Sequence, residues 1–143
     1  MKRLLPLLLL VAVSASAQEL RARVAEVHNG NTITIQEIGR PRSYEVVRLE
    51  GIAVPGRWRP FAAKSRESLR ELVKYKQVTV IPRSSDRHGR MTAIVLLDDL
   101  DVGLEQIRRG LAWYSPDTHD RPDYEAAEAD AERERRGLWA ERH

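Results

Sequence analysis

The 143-residue chain contains no cysteine. A disulfide framework, a thiol nucleophile and a cysteine-bound zinc are therefore excluded, and an oxidising compartment is tolerated without being exploited. Beyond residue 13 the sequence has no apolar run long enough to cross a bilayer. It lacks internal repeats, linkers and low-complexity tracts, which argues against a second domain. A local shortage is more pointed. In RLEGIAVPG, Arg48–Gly56, a basic residue opens an apolar strand that ends in a Pro-Gly turn. That is how a scaffold delivers a loop to a site, yet the closing loop carries no carboxylate, thiol or histidine.

What is present begins with a leader. Lys2 and Arg3 precede the apolar run Leu4–Val13, and Ala15-Ser16-Ala17 supplies small residues at an A-x-A spacing. This is the pattern of a secretory signal peptide, residues 1–17, with cleavage expected before Gln18 and a secreted or periplasmic destination. The run is about half of what spans a bilayer, so membrane insertion is not expected. Residues 18–143 suffice for one compact domain with its own core, expected as a monomer.

Without Lys2 and Arg3, 22 basic residues face 21 acidic ones. Their distribution is uneven: residues 40–90 hold 13 Lys/Arg against 5 Asp/Glu, while residues 117–143 hold 5 against 9. A basic middle suits an anionic partner such as nucleic acid; an ordinary arginine-rich solvated surface has the same composition.

The apolar spacing predicts three strands in an antiparallel meander: LRARVAEV, TITIQE (32–37) and YEVVRLEGI (44–52). HNGN (28–31) is read as the first turn, its Asn-Gly pair suited to positive φ. Phe61, Ala62, Ser65, Leu69, Leu72 and Val73 recur at helical spacing after Pro60. QVTVIP (77–82) and MTAIVLL (91–97) read as strands around a loop at 83–90. A short helix over 102–109 stops at Gly110, and a last helix from Pro122 carries Tyr124, Ala127, Ala131 and Leu138 on its apolar face. The fold class is α+β, mainly β. The order predicts a five-stranded OB-type Greek-key barrel with three helices.

NGNT (29–32), RLEGIAVPG (48–56), DRHGR (86–90), IRRGLAWY (107–114) and ERRGLW (134–139) occur in this order. Together they resemble the thermonuclease family, whose type member is staphylococcal nuclease. Its usual versions are DGDT, RLxGIDxPE, DxxGR, a GLA-plus-aromatic element and a closing GLW. The resemblance implies calcium-assisted hydrolysis of phosphodiesters in DNA and RNA. In that chemistry a hard cation on carboxylates polarises the phosphate, a further carboxylate activates water, and two guanidiniums stabilise transition-state charge.

Carried over by position, the arginine half of this site is present and the acidic half is missing. Arg48 and Arg90 match the two family arginines. Asn29 and Asn31 stand where DGDT has its aspartates, Ala53 where the other metal-binding aspartate belongs, and Gly56 at the position of the water-activating glutamate. Calcium affinity depends heavily on ligand charge, so no cofactor is expected and calcium-dependent hydrolysis should be lost or very weak. Having lost carboxylates and kept arginines, the pocket should bind anions without metal.

Glu50, two residues beyond Arg48, is read as its ion-pair partner, with a relocated catalytic acid as the alternative. Arg87 and His88 flank Arg90 in a loop suited to phosphate contact. Arg57, Trp58 and Arg59 form a basic cluster around an aromatic that either stacks on a single strand or caps the barrel mouth. Trp113 and Tyr114 fall where the family places nucleotide-contacting aromatics, Trp139 reads as core, and His28 and His119 show no ligand spacing. Three functions remain open on the sequence: a degenerate domain binding phosphate or single-stranded nucleic acid, a nuclease with a rebuilt metal site using Glu50 and Asn31, and a protein-binding module outside the cytoplasm.

Overall fold

A computed structural model describes residues 2–3, 18–117 and 119–140. The expected signal peptide, apart from Lys2 and Arg3, lies outside the described residues.

Strand β1, Leu20–Asn29, buries Ala22, Val24 and Val27. Strict alternation would have sent Glu26 into the core. A register shift against β2 (Thr32–Glu37) between Val24 and Glu26 changes the phase, so that Val27 points inward instead. Strand β2 continues antiparallel onto β3, Tyr44–Leu49, which follows the turn at 38–43.

The third expected strand is shorter than its apolar run. It ends at Leu49, Glu50-Gly51 make a turn, and Ile52–Ala53 form a separate two-residue strand, β4. Gly51 takes a positive φ of 76°, which breaks the extended path.

Helix α1, Ala62–Val73, starts two residues after Pro60 because Phe61 adopts a left-handed φ of 67°. It buries Ser65, Ser68, Leu69, Leu72 and Val73 against the barrel. Strand β5, Gln77–Ser85, outruns its expected end at Pro82, so the loop before β6 (Met91–Leu97) contracts to a turn at 86–90. β5 pairs antiparallel with β1 and β6, and β6 closes the barrel by pairing parallel with β3. The five long strands thus form a closed mixed barrel in the order β3-β2-β1-β5-β6. Its core includes Val24, Ile33, Ile35, Val47, Leu49, Leu69, Val80 and Val95.

Two-residue strand β7 (Leu100–Asp101) leads into α2, Val102–Arg108, where the Asp101 carboxylate accepts from the Leu104 N–H at 3.1 Å. Strand β8 (Trp113–Tyr114) pairs with β4. Helix α3, Pro122–Arg133, buries Tyr124, Ala127 and Ala131, and a 3-10 turn at Gly137–Trp139 follows. The two late glycine motifs meet here. A Cβ at Gly110 would lie 2.1 Å from Arg136 O, and one at Gly137 would lie 2.3 Å from Gly110 O. Among the described residues, no helix is long and apolar enough to cross a membrane.

Candidate functional site

Thr32, Arg48 and Thr92 lie side by side on β2, β3 and β6. Alternation gives Val47 and Leu49 to the core and leaves Arg48 on the outer face of the sheet. Its Nη2 donates to Asp117 Oδ2 at 3.0 Å, and its Nε lies 4.0 Å from Asp86 Oδ2. The second arginine arrives on the turn between β5 and β6. Asp86 Oδ1 accepts from the backbone N–H of His88 (2.8 Å) and of Arg90 (3.0 Å), while Oδ2 accepts from Arg90 Nε at 2.8 Å. Asp86 is therefore the hub of the turn and the link between the two guanidiniums. Burial opposes its ionisation, but the two N–H groups and Arg90 outweigh that and hold its pKa below the ordinary 3.8.

Two open grooves share Arg48 and Arg90 as a common wall. One, about 660 Å³, is bounded by Ser84, Arg87, His88, Thr92 and Asp117. The other, about 910 Å³, brings together Asn29, Asn31, Ala53 and Gly56, the four positions that the motif resemblance sets against family carboxylates. Among the described residues its walls carry Arg48, Arg57, Arg66 and Arg90 and no Asp or Glu. His28 lines it too, hydrogen-bonded to Thr34 Oγ1 at 2.7 Å.

The turn carrying the asparagines is held from beneath. β1 runs through Asn29, so Gly30-Asn31 alone form the turn, and none of the three has a positive φ. That corrects the expected role of the Asn-Gly pair. Gly30 is needed for closeness, because a Cβ there would fall 1.8 Å from Ser65 Oγ. The fully buried Gln106 donates to Gly30 O at 2.9 Å and to Ser65 O at 3.0 Å, and accepts from Ser68 Oγ at 2.6 Å. The Asn31 amide donates to Ile52 O at 3.3 Å and accepts from Thr32 Oγ1 at 3.0 Å.

Glu50 does not pair with Arg48. Because β3 ends before it, the carboxylate turns inward, 1 % exposed, and meets Arg83 Nε and His119 Nδ1, each at 2.9 Å. His119 is thus tied to a carboxylate that sequence spacing gave no reason to suspect. Trp113 borders an apolar recess of about 470 Å³ with Pro55, Phe61 and Leu138, and Tyr114 packs edge-on against Tyr124. Neither lines an arginine groove. Trp58 does, at 89 % exposed, so it does not cap the barrel. Trp139 is half-buried rather than core. Asp117, Asp86 and Gln106 were missed by sequence reasoning. Asp86 was signalled by its place in DRHGR, whereas the other two had no local signal.

Across residues 32–141 the chain matches the family model described as staphylococcal nuclease homologue. The chain belongs to the staphylococcal nuclease homologue family. Its similarity extends to an uncharacterized endonuclease of Haemophilus influenzae, 34 % identical over 137 residues that cover 94 % of this chain and 75 % of the relative. An uncharacterized endonuclease of Escherichia coli O157:H7 is 28 % identical over 143 residues, covering 99 % and 92 %. A probable staphylococcal-like nuclease of Oryza sativa subsp. japonica shares 31 % over 94 residues, which is 66 % of this chain but 28 % of that protein.

The residues at the positions that the motif resemblance assigns to the family's calcium site are a poor donor set for that ion. At the corresponding positions stand an amide already bonded to Ile52 O, a methyl group and a glycine. Among the described residues, no cluster of three His, Asp or Glu side chains is placed to hold a metal ion. A hard cation wants several charged oxygens, and these residues do not fit it.

Proposed function

We propose that this protein is an exported, degenerate staphylococcal nuclease homologue. It binds phosphate-bearing ligands, single-stranded nucleic acid in particular, without metal, and its calcium-dependent hydrolysis is lost or very weak. The observation that carries this reading is the large groove, where among the described residues four arginines and no Asp or Glu line the wall, with Arg48 and Arg90 ion-paired from outside it to Asp117 and Asp86. Guanidiniums bind phosphate oxygens through paired N–H donors, and a low-acid groove concentrates polyanions. Arg48 and Arg90 are the residues assigned to the phosphate; Arg87 and His88 extend the same surface.

The test pairs cleavage with binding. A fluorescent single-stranded oligonucleotide is incubated with calcium, magnesium, manganese or chelator, and binding is titrated against salt. The expected result is no metal-dependent cleavage and salt-sensitive binding that Arg48→Ala and Arg90→Ala weaken. Metal-dependent cleavage lost in Arg48→Ala would establish a rebuilt catalytic site instead. Glu50 is a poor acid for such a site, since it is buried against Arg83 and His119.

A further inference from the structure

The loop between β4 and α1, residues 54–61, has an unusual backbone. Within it Trp58 has a φ of 70° and Phe61 a φ of 67°, left-handed conformations that bulky side chains rarely adopt. Two successive turns hold that geometry, Arg59 N–H donating to Gly56 O at 3.0 Å and Ala62 N–H to Arg59 O at 3.2 Å. The result is an indole 89 % exposed on the rim of the arginine groove. An apolar recess walled by Pro55, Phe61, Trp113 and Leu138 adjoins the same loop, yet the indole stands out in solvent. A left-handed backbone under a large ring left in solvent is the kind of outlier that points toward a ligand.

Its neighbours indicate which ligand. The Arg57 guanidinium lies 5.2 Å from the indole centroid, over the ring, and Arg57 lines the groove together with Arg48, Arg66 and Arg90. A flat aromatic surface carrying a cation, on the rim of a groove lined by four arginines, of which Arg57 and Arg66 have no carboxylate in the same wall among the described residues, matches a chain that alternates planar bases with phosphates.

We propose that Trp58, backed by Arg57, is a stacking platform for a nucleobase. On it one base lies flat while the flanking phosphates run into the groove toward Arg48 and Arg90. The platform selects single strands, because a base within a duplex is stacked on its neighbours and cannot reach the indole. The glycine at position 56 contributes room. A Cβ there would meet only Arg59 Cγ, at 3.9 Å, so the path from indole to groove is not narrowed by a side chain. This inference rests on the arginine-groove reading and adds to it a base-recognising element that phosphate binding alone does not require.

The experiment measures binding of a fluorescent thymidine oligomer and of an abasic oligomer of equal length and charge, with a duplex as competitor. Wild-type protein should prefer the thymidine oligomer. Trp58→Ala should weaken that binding about tenfold, as expected for one stacked base, and leave the abasic oligomer nearly unaffected. Trp58→Phe should keep most of the preference, and binding should quench indole fluorescence less in Trp58→Phe than in wild type. Because the indole is exposed, both variants should keep the wild-type melting curve. Equal binding of the two oligomers, or a Trp58→Ala protein indistinguishable from wild type while Arg48→Ala and Arg90→Ala weaken both oligomers, would overturn the platform and leave the groove standing. Failure of wild-type protein to bind either oligomer would overturn both.

Discussion

Restoring the missing carboxylates gives the sharpest test of whether the groove lost a metal site or never needed one. Asn31→Asp, Ala53→Asp and Gly56→Glu would reinstate the acids that the family resemblance assigns. Space permits the last change, since a Cβ at Gly56 has only Arg59 Cγ within 4 Å. The first carries a cost that the structure defines. The Asn31 amide donates to Ile52 O at 3.3 Å, and a carboxylate in its place sets oxygen against oxygen. Losing that donor beside a buried carbonyl costs about 1–3 kcal/mol. For a domain of this size that lowers Tm by about 3–15 °C. Without metal, the triple variant should therefore be less stable than wild type, with like-charge repulsion between residues 31 and 53 adding to the loss.

Calcium should reverse the deficit. With a Kd of about 0.1–1 mM and about 10 mM calcium, binding to the folded state contributes about 1.4–2.7 kcal/mol. The corresponding rise in Tm is about 4–13 °C. Thermal melts in calcium, in chelator and in sodium chloride of equal ionic strength measure this directly, without reference to activity. Wild-type Tm should be the same in calcium and in the sodium chloride control. A wild-type rise of several degrees specific to calcium would refute the argument, because a cation site would then exist without these acids. A triple variant indifferent to calcium would refute the assignment of positions 31, 53 and 56.

Three further outcomes follow from contacts outside the groove floor. Asp117→Asn removes a half-exposed anion from Arg48 and should tighten oligonucleotide binding about 1.5- to 5-fold, the worth of a surface ion pair, as read by fluorescence anisotropy. Gln106→Leu strips partners from Gly30 O, Ser65 O and Ser68 Oγ and should cost about 2–5 kcal/mol in denaturant unfolding, with weaker groove binding as the 29–31 turn loosens. Asp86 has a folded pKa below its ordinary 3.8, so its stabilising contribution is present above that value and lost as pH falls through the lower folded one. Asp86→Asn should accordingly flatten the acid limb of the Tm–pH curve below about pH 4.

The barrel was legible because its long strands alternate and its helices repeat at the helical period. The failures occur where one residue breaks that rhythm. In β1 a register shift slips Glu26 outward and Val27 inward, and the sequence carries no glycine or proline there to announce it. After β3, Gly51 turns the chain and sends Glu50 to Arg83 and His119, partners 33 and 69 residues distant in sequence. Counting by twos from Arg48 could not find either. The arginines were readable because they sit inside local motifs. Asp117, 69 residues from Arg48, was not.

The two acids beside Arg48 look alike in charge but differ in attachment, and that difference decides what a ligand displaces. Both Asp86 oxygens are engaged, one by two backbone N–H groups and the other by Arg90, so the carboxylate is built into the turn. Asp117 is held through a single oxygen, by Arg48 at 3.0 Å and by the Gly51 N–H at 3.3 Å. An incoming phosphate offers Arg48 more acceptor oxygens than Asp117 does, so exchange should occur there while Asp86 stays in place. Binding data and melting data should consequently separate. Asp117→Asn acts on affinity with little change in Tm, whereas Asp86→Asn acts on stability at acid pH and on affinity only through the position of Arg90. If both substitutions changed affinity equally at constant Tm, the two carboxylates would be equivalent counter-ions, and the hub role of Asp86 would be wrong.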